Sequence, residues 1–318
     1  MKKISVVIPV YYEEDGLAYL KERLWPVLGE LQKRGLDWEI VFIDDGSKDK
    51  TAFILKNWAN EDNKIKVVRF VRNFGSHVAI KTGYRYATGD CAVNLCADLQ
   101  EPPELMLQMV DAWQNEKADV ILLKRLENKG GFSYKLFSKL FYFIINKMSS
   151  LPDIFAPIDM FFLDRKVLNN LNRLNEHNIC IHALILWLGY DAKEIYFKRE
   201  ERKFGTSGWT LSKKIKMFFD SLIAVSYLPI RFFSIAGLCI IFLSFIYGIF
   251  LTINRLFIDH NLIPGWTTII LLILFIGGML ILGIGILGEY LWRTLDEARN
   301  RPNSLVLETI NVEEEKNK

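Results

Sequence analysis

Cysteine and histidine are scarce in this sequence, at 4 residues each among 318. Cys91, Cys96, Cys180 and Cys239 make no CxxC pair and no Cys/His zinc pattern. That excludes a zinc ribbon, argues against a disulfide framework and fits a reducing compartment. Charge of one sign is lacking as well. With 40 Lys+Arg against 37 Asp+Glu the net charge is only +3, too little bulk charge for a strongly basic nucleic-acid binder. No GxGxxG follows the first apolar segment and no GxxxxGK[ST] occurs, so the phosphate cradles of dinucleotide-binding and P-loop folds are missing. The opening MKKISVVIPVYYEED has an apolar run too short for a signal peptide, with no small-residue cleavage site, and reads as a strand.

What is present divides unevenly along the chain. Hydrophobic residues make up 51%, and most of the excess lies after residue 228. Residues 232–253 and 267–288 are runs of 22 with no charged side chain. A helix of that length reaches roughly 33 Å, enough to cross a hydrocarbon core of ~30 Å. Two such runs joined by a short connector, 254–266, predict a transmembrane hairpin. Lys213, Lys214, Lys216 and Arg231 precede it and Arg293, Arg299 and Arg301 follow, whereas the connector holds only Arg255. The positive-inside rule then puts both termini in the cytoplasm of a multi-pass inner-membrane protein. Residues 210–227 place Leu211, Ile215, Phe218, Phe219 and Leu222 on one helical face, which suits a helix in the membrane interface or, alternatively, a plain core helix. The Gly277, Gly278, Gly283, Gly285 and Gly288 series permits close helix packing, and with it a homo-oligomer. The tail 306–318, ending in acidic and basic residues, is expected to be mobile.

The first 200 residues alternate. Apolar segments 4–10, 39–43, 65–71, 92–95 and 120–123 are separated by helical patterns over 16–34, 50–60, 77–88 and 103–115. Strands interleaved with helices of that length predict an α/β fold with a mostly parallel sheet covered on both faces. Ligands of such sheets bind at the carboxyl ends of the strands. Here those ends carry carboxylates, which suit a ribose, a base edge or a divalent cation rather than bare phosphate. Asp98-x-Gln100 offers two oxygen ligands on one side of an extended segment. Asp44-Asp45-Gly46-Ser47 is either part of such a site or an ordinary Asp-Gly turn capping the next helix, with Asp49 assisting. His77 reads as a helix-surface residue, and 198–203 as a charge run of the usual solvated kind.

Taken together, VVIPVYYEE (6–14), DDGSKDKT (44–51), RNFG (72–75), Ala87-Thr88-Gly89-Asp90, ADLQEPPE (97–104) and RKFGTSGW (202–209) resemble the family 2 inverting glycosyltransferases. The resemblance is strongest to the polyprenyl-phosphate group, which includes bactoprenol glucosyltransferases and dolichyl-phosphate mannose synthases. It implies a GT-A nucleotide-sugar-binding domain over 1–209, a juxtamembrane helix over 210–231, the hairpin over 232–288 and a cytoplasmic tail over 289–318. It also implies roles. Pro9, Tyr11, Glu13, Asp44, Asp45, Ala97, Asp98 and Arg125 would contact the donor, and Asp98 and Gln100 would hold Mg²⁺ or Mn²⁺. Asp159 and Arg202 would act at the reacting groups, Arg202 on phosphate. Four positions depart from the common pattern: Tyr12 for Asn, Cys96 for the first acid of D-x-D-x-Q, Phe161 for Arg and Gly208 for Lys.

The implied reaction moves a sugar from a nucleotide sugar, a UDP-hexose with glucose first, to undecaprenyl phosphate at the cytoplasmic membrane face for cell-envelope modification. A flippase and an outer-face glycosyltransferase would follow, and no nucleic acid is involved. Donor recognition would rest on residues before 105 and lipid access on those after 210. A processive polysaccharide synthase is the enzymatic alternative, but the Q-x-x-R-W segment of such enzymes is missing here. A non-catalytic nucleotide-binding scaffold is the other.

Overall fold

Alternation along the first strand explains the architecture. Ile4, Val6, Ile8 and Val10 enter one core layer while Val7 enters the other, so both faces of the strand are buried. The computed structural model describes residues 1–126, 158–174, 181–200, 203 and 265–312, with six isolated positions between 235 and 249. In chain order the elements are β1 (Lys2–Val10), α1 (Leu17–Lys33), β2 (Leu36–Asp44), α2 (Thr51–Glu61), β3 (Ile65–Phe70), α3 (Ser76–Tyr86) and β4 (Cys91–Asn94). Then come α4 (Leu105–Glu116), β5 (Val120–Arg125), β6 (Ile158–Asp164), α5 (Arg165–Asn172), α6 (Ile181–Trp187), β7 (Ala192–Phe197), α7 (Trp266–Ala298) and β8 (Val306–Ile310).

The eight strands form one sheet in the order β7-β5-β6-β4-β1-β2-β3-β8. Six share one direction, and β6 and β8 run against their neighbours. The expected α/β class with a mostly parallel sheet is what forms. Helices α1, α2 and α4 pack their apolar sides on one face, and α3, α5 and α6 on the other. Since β6 is antiparallel, its first residues arrive at the edge where the parallel strands end.

The tail corrects the sequence reading. Part of the segment expected to be mobile is β8, which pairs antiparallel with β3 at the register Val68↔Thr309. An uncovered β3 would leave a row of unpaired backbone groups at the sheet edge, and β8 satisfies them. Lys56 Nζ meets Glu308 Oε1 at 2.8 Å, and Asn311 Nδ2 donates to the carbonyls of Ala59 and Ile65 at 2.5 and 2.9 Å. Residues 302–318 therefore group with the sheet unit: contacts divide the chain into Met1–Lys214 with Pro302–Lys318, and Ile215–Arg301.

In the second unit, α7 spans 33 residues and contains the second expected span. Phe275–Ala298 within it is long and apolar enough to cross a membrane, with mean hydropathy 1.7. The first expected span lies mostly outside the described residues. The positions described there, Ile235, Gly237, Cys239, Phe242, Ile246 and Ile249, are helical. The expected interfacial helix 210–227 lies wholly outside them.

Candidate active site

Loops leaving the parallel strands meet along one edge. After β1, Tyr12 adopts φ 56°, a left-handed conformation unusual for a side-chain-bearing residue. Its N–H donates to Ser47 Oγ at 3.1 Å, and the Glu13 N–H donates to Thr51 Oγ1 at 3.0 Å. The β1 loop is thereby tied to the β2 loop. Pro9 and Glu13 are half-buried there, and Tyr11 is exposed.

After β2, Asp44 and Asp45 are both buried. Asp44 Oδ1 accepts the Ser47 N–H at 2.9 Å and its Oδ2 lies 3.2 Å from Arg69 Nε. Asp45 takes the N–H groups of Phe74 and Gly75 at 2.6 and 2.9 Å, one on each oxygen. Asp49 also accepts the Thr51 N–H, as the turn reading expected. The segment is thus a turn, and it lies at the edge where the parallel strands end. Gly46, directly after Asp45, has φ 78°, and a Cβ there would lie 2.6 Å from the Arg72 carbonyl carbon. Burial pushes the Asp45 carboxyl up to about 6, against the pull of its two backbone donors.

The loop after β4 carries the densest charge. Ala97 is buried, Asp98 and Gln100 are half-buried, and Leu99 between them has φ 49°. That left-handed residue folds the loop so that Cys96 Sγ and carboxylate oxygens of Asp98 and Glu101 all lie within 4.8 Å of one another. Backbone strain of this kind costs on the order of 1–3 kcal/mol and concentrates at functional sites. Glu101 is 1% exposed, with Oε2 lacking a hydrogen-bond partner among the described residues. Burial, then the charges of Asp159 and Asp98, push its carboxyl up to about 7, and Arg199 offsets only part. Burial also pushes the Cys96 thiol well up.

Asp159 arrives from the start of β6. Arg125, at the end of β5, holds it with Nε 3.3 Å from Oδ2 and Nη2 3.3 Å from Oδ1. Burial raises the Asp159 carboxyl, opposed by Arg125 and then Arg199. Asn94 on β4 fixes this approach: its Oδ1 accepts the Phe161 N–H at 2.8 Å and the Tyr84 hydroxyl at 3.1 Å, and its Nδ2 donates to the Asp159 carbonyl at 3.3 Å.

The charge run after β7 is not simply solvated. Arg199 Nε is 3.7 Å from Glu101 Oε1, and the Glu200 N–H donates to the Gln100 carbonyl at 2.9 Å. Glu200 and Glu104 both pair with Arg23, and Lys203 Nζ lies 4.4 Å from the Tyr19 ring centre. Arg202 itself lies outside the described residues. Of the sequence-predicted set, Asp98, Gln100, Arg125 and Asp159 stand in one cluster, and Pro9, Tyr11, Glu13, Asp44 and Asp45 in the neighbouring β1–β2 loops. Sequence reasoning placed Glu101 among the polar residues at the strand ends without giving it a role, and missed Arg199 and Asn94. The only signals were an acid directly after the Asp-x-Gln pair, a second arginine near 202 and a polar residue inside an apolar strand. His77 corrects a further expectation: its Nδ1 is buried and its ring lies 5.2 Å from that of His182. Phe161, where an arginine is frequent, is 1% exposed and packs on the His182 ring, so it serves the core.

The donor chemistry fits a divalent cation. Asp98 and Gln100 are hard oxygen ligands of the kind Mg²⁺ and Mn²⁺ take, whereas the Cys96 sulfur suits them poorly. Three buried or half-buried carboxylates, Asp98, Glu101 and Asp159, face two guanidinium groups, Arg125 and Arg199, and so leave negative charge in excess.

Comparison with known proteins adds to this geometry. The family model described as Glycosyl transferase family 2 matches residues 5–171. An uncharacterized glycosyltransferase, YkcC, of Bacillus subtilis is 34% identical, covering 97% of this chain and 94% of its own. The bactoprenol glucosyl transferase of Shigella phage SfII is 32% identical, covering 96% of this chain and 97% of its own. Among solved structures, mannosyl-3-phosphoglycerate synthase from Rubrobacter xylanophilus is similar at 16% identity and a TM-score of 0.49, covering 70% of this chain and 72% of its own.

Proposed function

This chain belongs to glycosyl transferase family 2, and from that premise we propose that it transfers a hexose, glucose first, from a UDP-sugar to polyprenyl phosphate at the cytoplasmic membrane face with inversion. One observation carries the acceptor class. Similarity to proteins named bactoprenol glucosyl transferase runs over 96% of the chain, through the apolar C-terminal part as well as the sheet. Chain connectivity supports the hairpin. The polypeptide leaves the sheet unit after Lys214 and returns at Pro302, so any membrane crossing between must be made an even number of times. With α7 as one span, residues 232–253 supply the other.

In this reading Asp45 and the Phe74–Gly75 backbone hold the nucleoside end of the donor. Asp98 and Gln100 would hold a divalent cation, which would supply positive charge to stabilise the leaving diphosphate. Arg125 and Arg199, with Arg202 from the same segment as Arg199, draw the two phosphate-bearing partners together. The acceptor phosphate is already ionised at neutral pH, so it needs alignment more than deprotonation. Its oxygen forms the new bond at the anomeric carbon from the face opposite the nucleotide, and the bonding electrons of the cleaved C–O bond leave with the diphosphate. Asp159, pinned by Arg125, orients a sugar hydroxyl.

The test is a donor screen. Membranes containing the protein are incubated with undecaprenyl phosphate and radiolabelled UDP-glucose or UDP-N-acetylhexosamines, with and without chelator. Metal-dependent label in the lipid phase is the expected result. Tight nucleotide binding with no lipid-phase label from any donor would favour the scaffold reading instead.

A further inference from the structure

The excess negative charge around Asp98 has a specific structural origin. Glu101 is 1% exposed, yet among the described residues its Oε2 accepts no hydrogen bond, and the carboxylate is met only by the Cys96 thiol and by Arg199 Nε, 3.7 Å from Oε1. That Nε itself makes no hydrogen bond. A carboxylate withdrawn from water with one oxygen unused is costly, and such orphaned atoms call for a missing ion or water. The orphan is aimed, because the left-handed Leu99 turns the Asp98 and Glu101 carboxylates toward each other and the Glu200–Gln100 backbone bond holds the loop in that shape. Two like charges within 4.8 Å repel unless a cation lies between them. The third atom of the cluster, Cys96 Sγ, is a soft donor that a hard cation does not prefer.

We propose that Glu101 is a metal ligand of this site, joining Asp98 through its free Oε2 so that the divalent cation is held by two carboxylates. This rests on the metal-assisted transfer reading above and adds to it a ligand outside the Asp-x-Gln pair. The positive charge between Asp98 and Glu101 also lets the cluster accept a diphosphate that its carboxylates alone would repel.

The experiment measures metal binding rather than turnover. Full-length protein in detergent is titrated with Mn²⁺ in the presence of UDP, with free Mn²⁺ followed by electron paramagnetic resonance, and melting temperature is recorded with and without metal. Glu101→Gln is expected to weaken Mn²⁺ binding on the order of 10–100-fold. Its metal-free melting temperature should equal or exceed the wild type, since repulsion with Asp98 and Asp159 is relieved, and its metal-induced rise should shrink. A Gln variant that melts lower without metal and binds Mn²⁺ as tightly as wild type overturns the assignment, leaving Glu101 as a partner of Arg199 and the Cys96 thiol. Should the Gln variant fail to fold, Glu101→Asp keeps the charge on a shorter arm. Weakened Mn²⁺ binding there supports the assignment, and unchanged binding overturns it. Wild-type protein that binds no Mn²⁺ with UDP overturns the metal reading as a whole, which separates that failure from one confined to Glu101.

Discussion

The two edges of the sheet bury the same kind of residue with opposite results. At the amino edge, Glu39 is 3% exposed and fully engaged. It accepts the Ser5 hydroxyl and the Thr88 N–H at 2.6 Å each and the Thr88 hydroxyl at 2.7 Å, with Lys3 and Lys66 at 3.1 and 2.9 Å. Burial alone would push it up, but these partners outweigh burial and hold it down at about 2. At the carboxyl edge, Glu101 is equally buried, has like charges beside it and is pushed up to about 7. Glu39 is supplied with its own donors, whereas Glu101 is left short of them.

Breaking each edge should therefore show in a different measurement. The largest expected effect is Asp98→Ala, which removes a carboxylate from the edge where acids lack donors. The transfer rate should fall by roughly 10²–10³, the cost of losing one transition-state stabiliser, with the melting temperature little changed. Near-wild-type turnover would remove Asp98 from the site.

The counterpart is Glu39→Ala, which strands the Lys3 and Lys66 ammonium groups. It should cost about 3 kcal/mol or more of stability in urea unfolding, while the rate per folded molecule stays the same. The pH dependence follows with a definite sign. Because Glu39 is held below its ordinary 4.5, the stability it contributes is full above that value and is lost as pH falls through about 2. Wild type should lose on the order of 3 kcal/mol across that window from this group, and Glu39→Gln should flatten that part of the profile. Identical acid profiles in the two proteins would contradict the assignment.

Smaller effects sharpen the contrast. Asn311→Ala leaves the Ala59 and Ile65 carbonyls without their side-chain donor and should lower stability by about 1 kcal/mol. A normal urea midpoint for that variant would mean that β8 adds little to the sheet. A chain ending near Arg202, which the sequence suggests should keep donor binding, lacks β8 altogether. Its donor affinity should fall, because the Val71 N–H bonds the Leu305 carbonyl at 3.1 Å just before the Phe74–Gly75 turn that holds Asp45. Calorimetry with UDP on both chain lengths measures this. Cys96→Ala is the smallest change: neither Mn²⁺ affinity nor turnover should shift by more than about twofold, since sulfur is a poor ligand for hard cations.

Much of this was legible in the residues. The strand–helix alternation is a local pattern, and every strand read from it between 4 and 123 is present, β2 beginning earlier at Leu36. Asp98, Gln100 and Asp45 could be found because they directly follow apolar strands. Glu101 stands among the polar residues after the same strand as Asp98, but nothing in its neighbours assigns it a role. Its burial comes from Arg199 and the 198–200 segment closing over it, and no local pattern records that. The tail misled for a similar reason. The mixed apolar and polar residues of Val306–Ile310 describe an edge strand as well as a mobile end, and only the exposed edge of β3 selects between them.

The sequence by itself determined the α/β class, the two long apolar runs, the carboxylates at the strand ends and the membership in its family, because each is written in short-range periodicity or in ordered motifs. Tertiary structure alone decided which buried acids are satisfied and which are not. Glu39 and Glu101 differ through partners brought from distant strands and loops, and a carboxylate's energy is set by the charges and donors around it in space, whatever its neighbours in the chain.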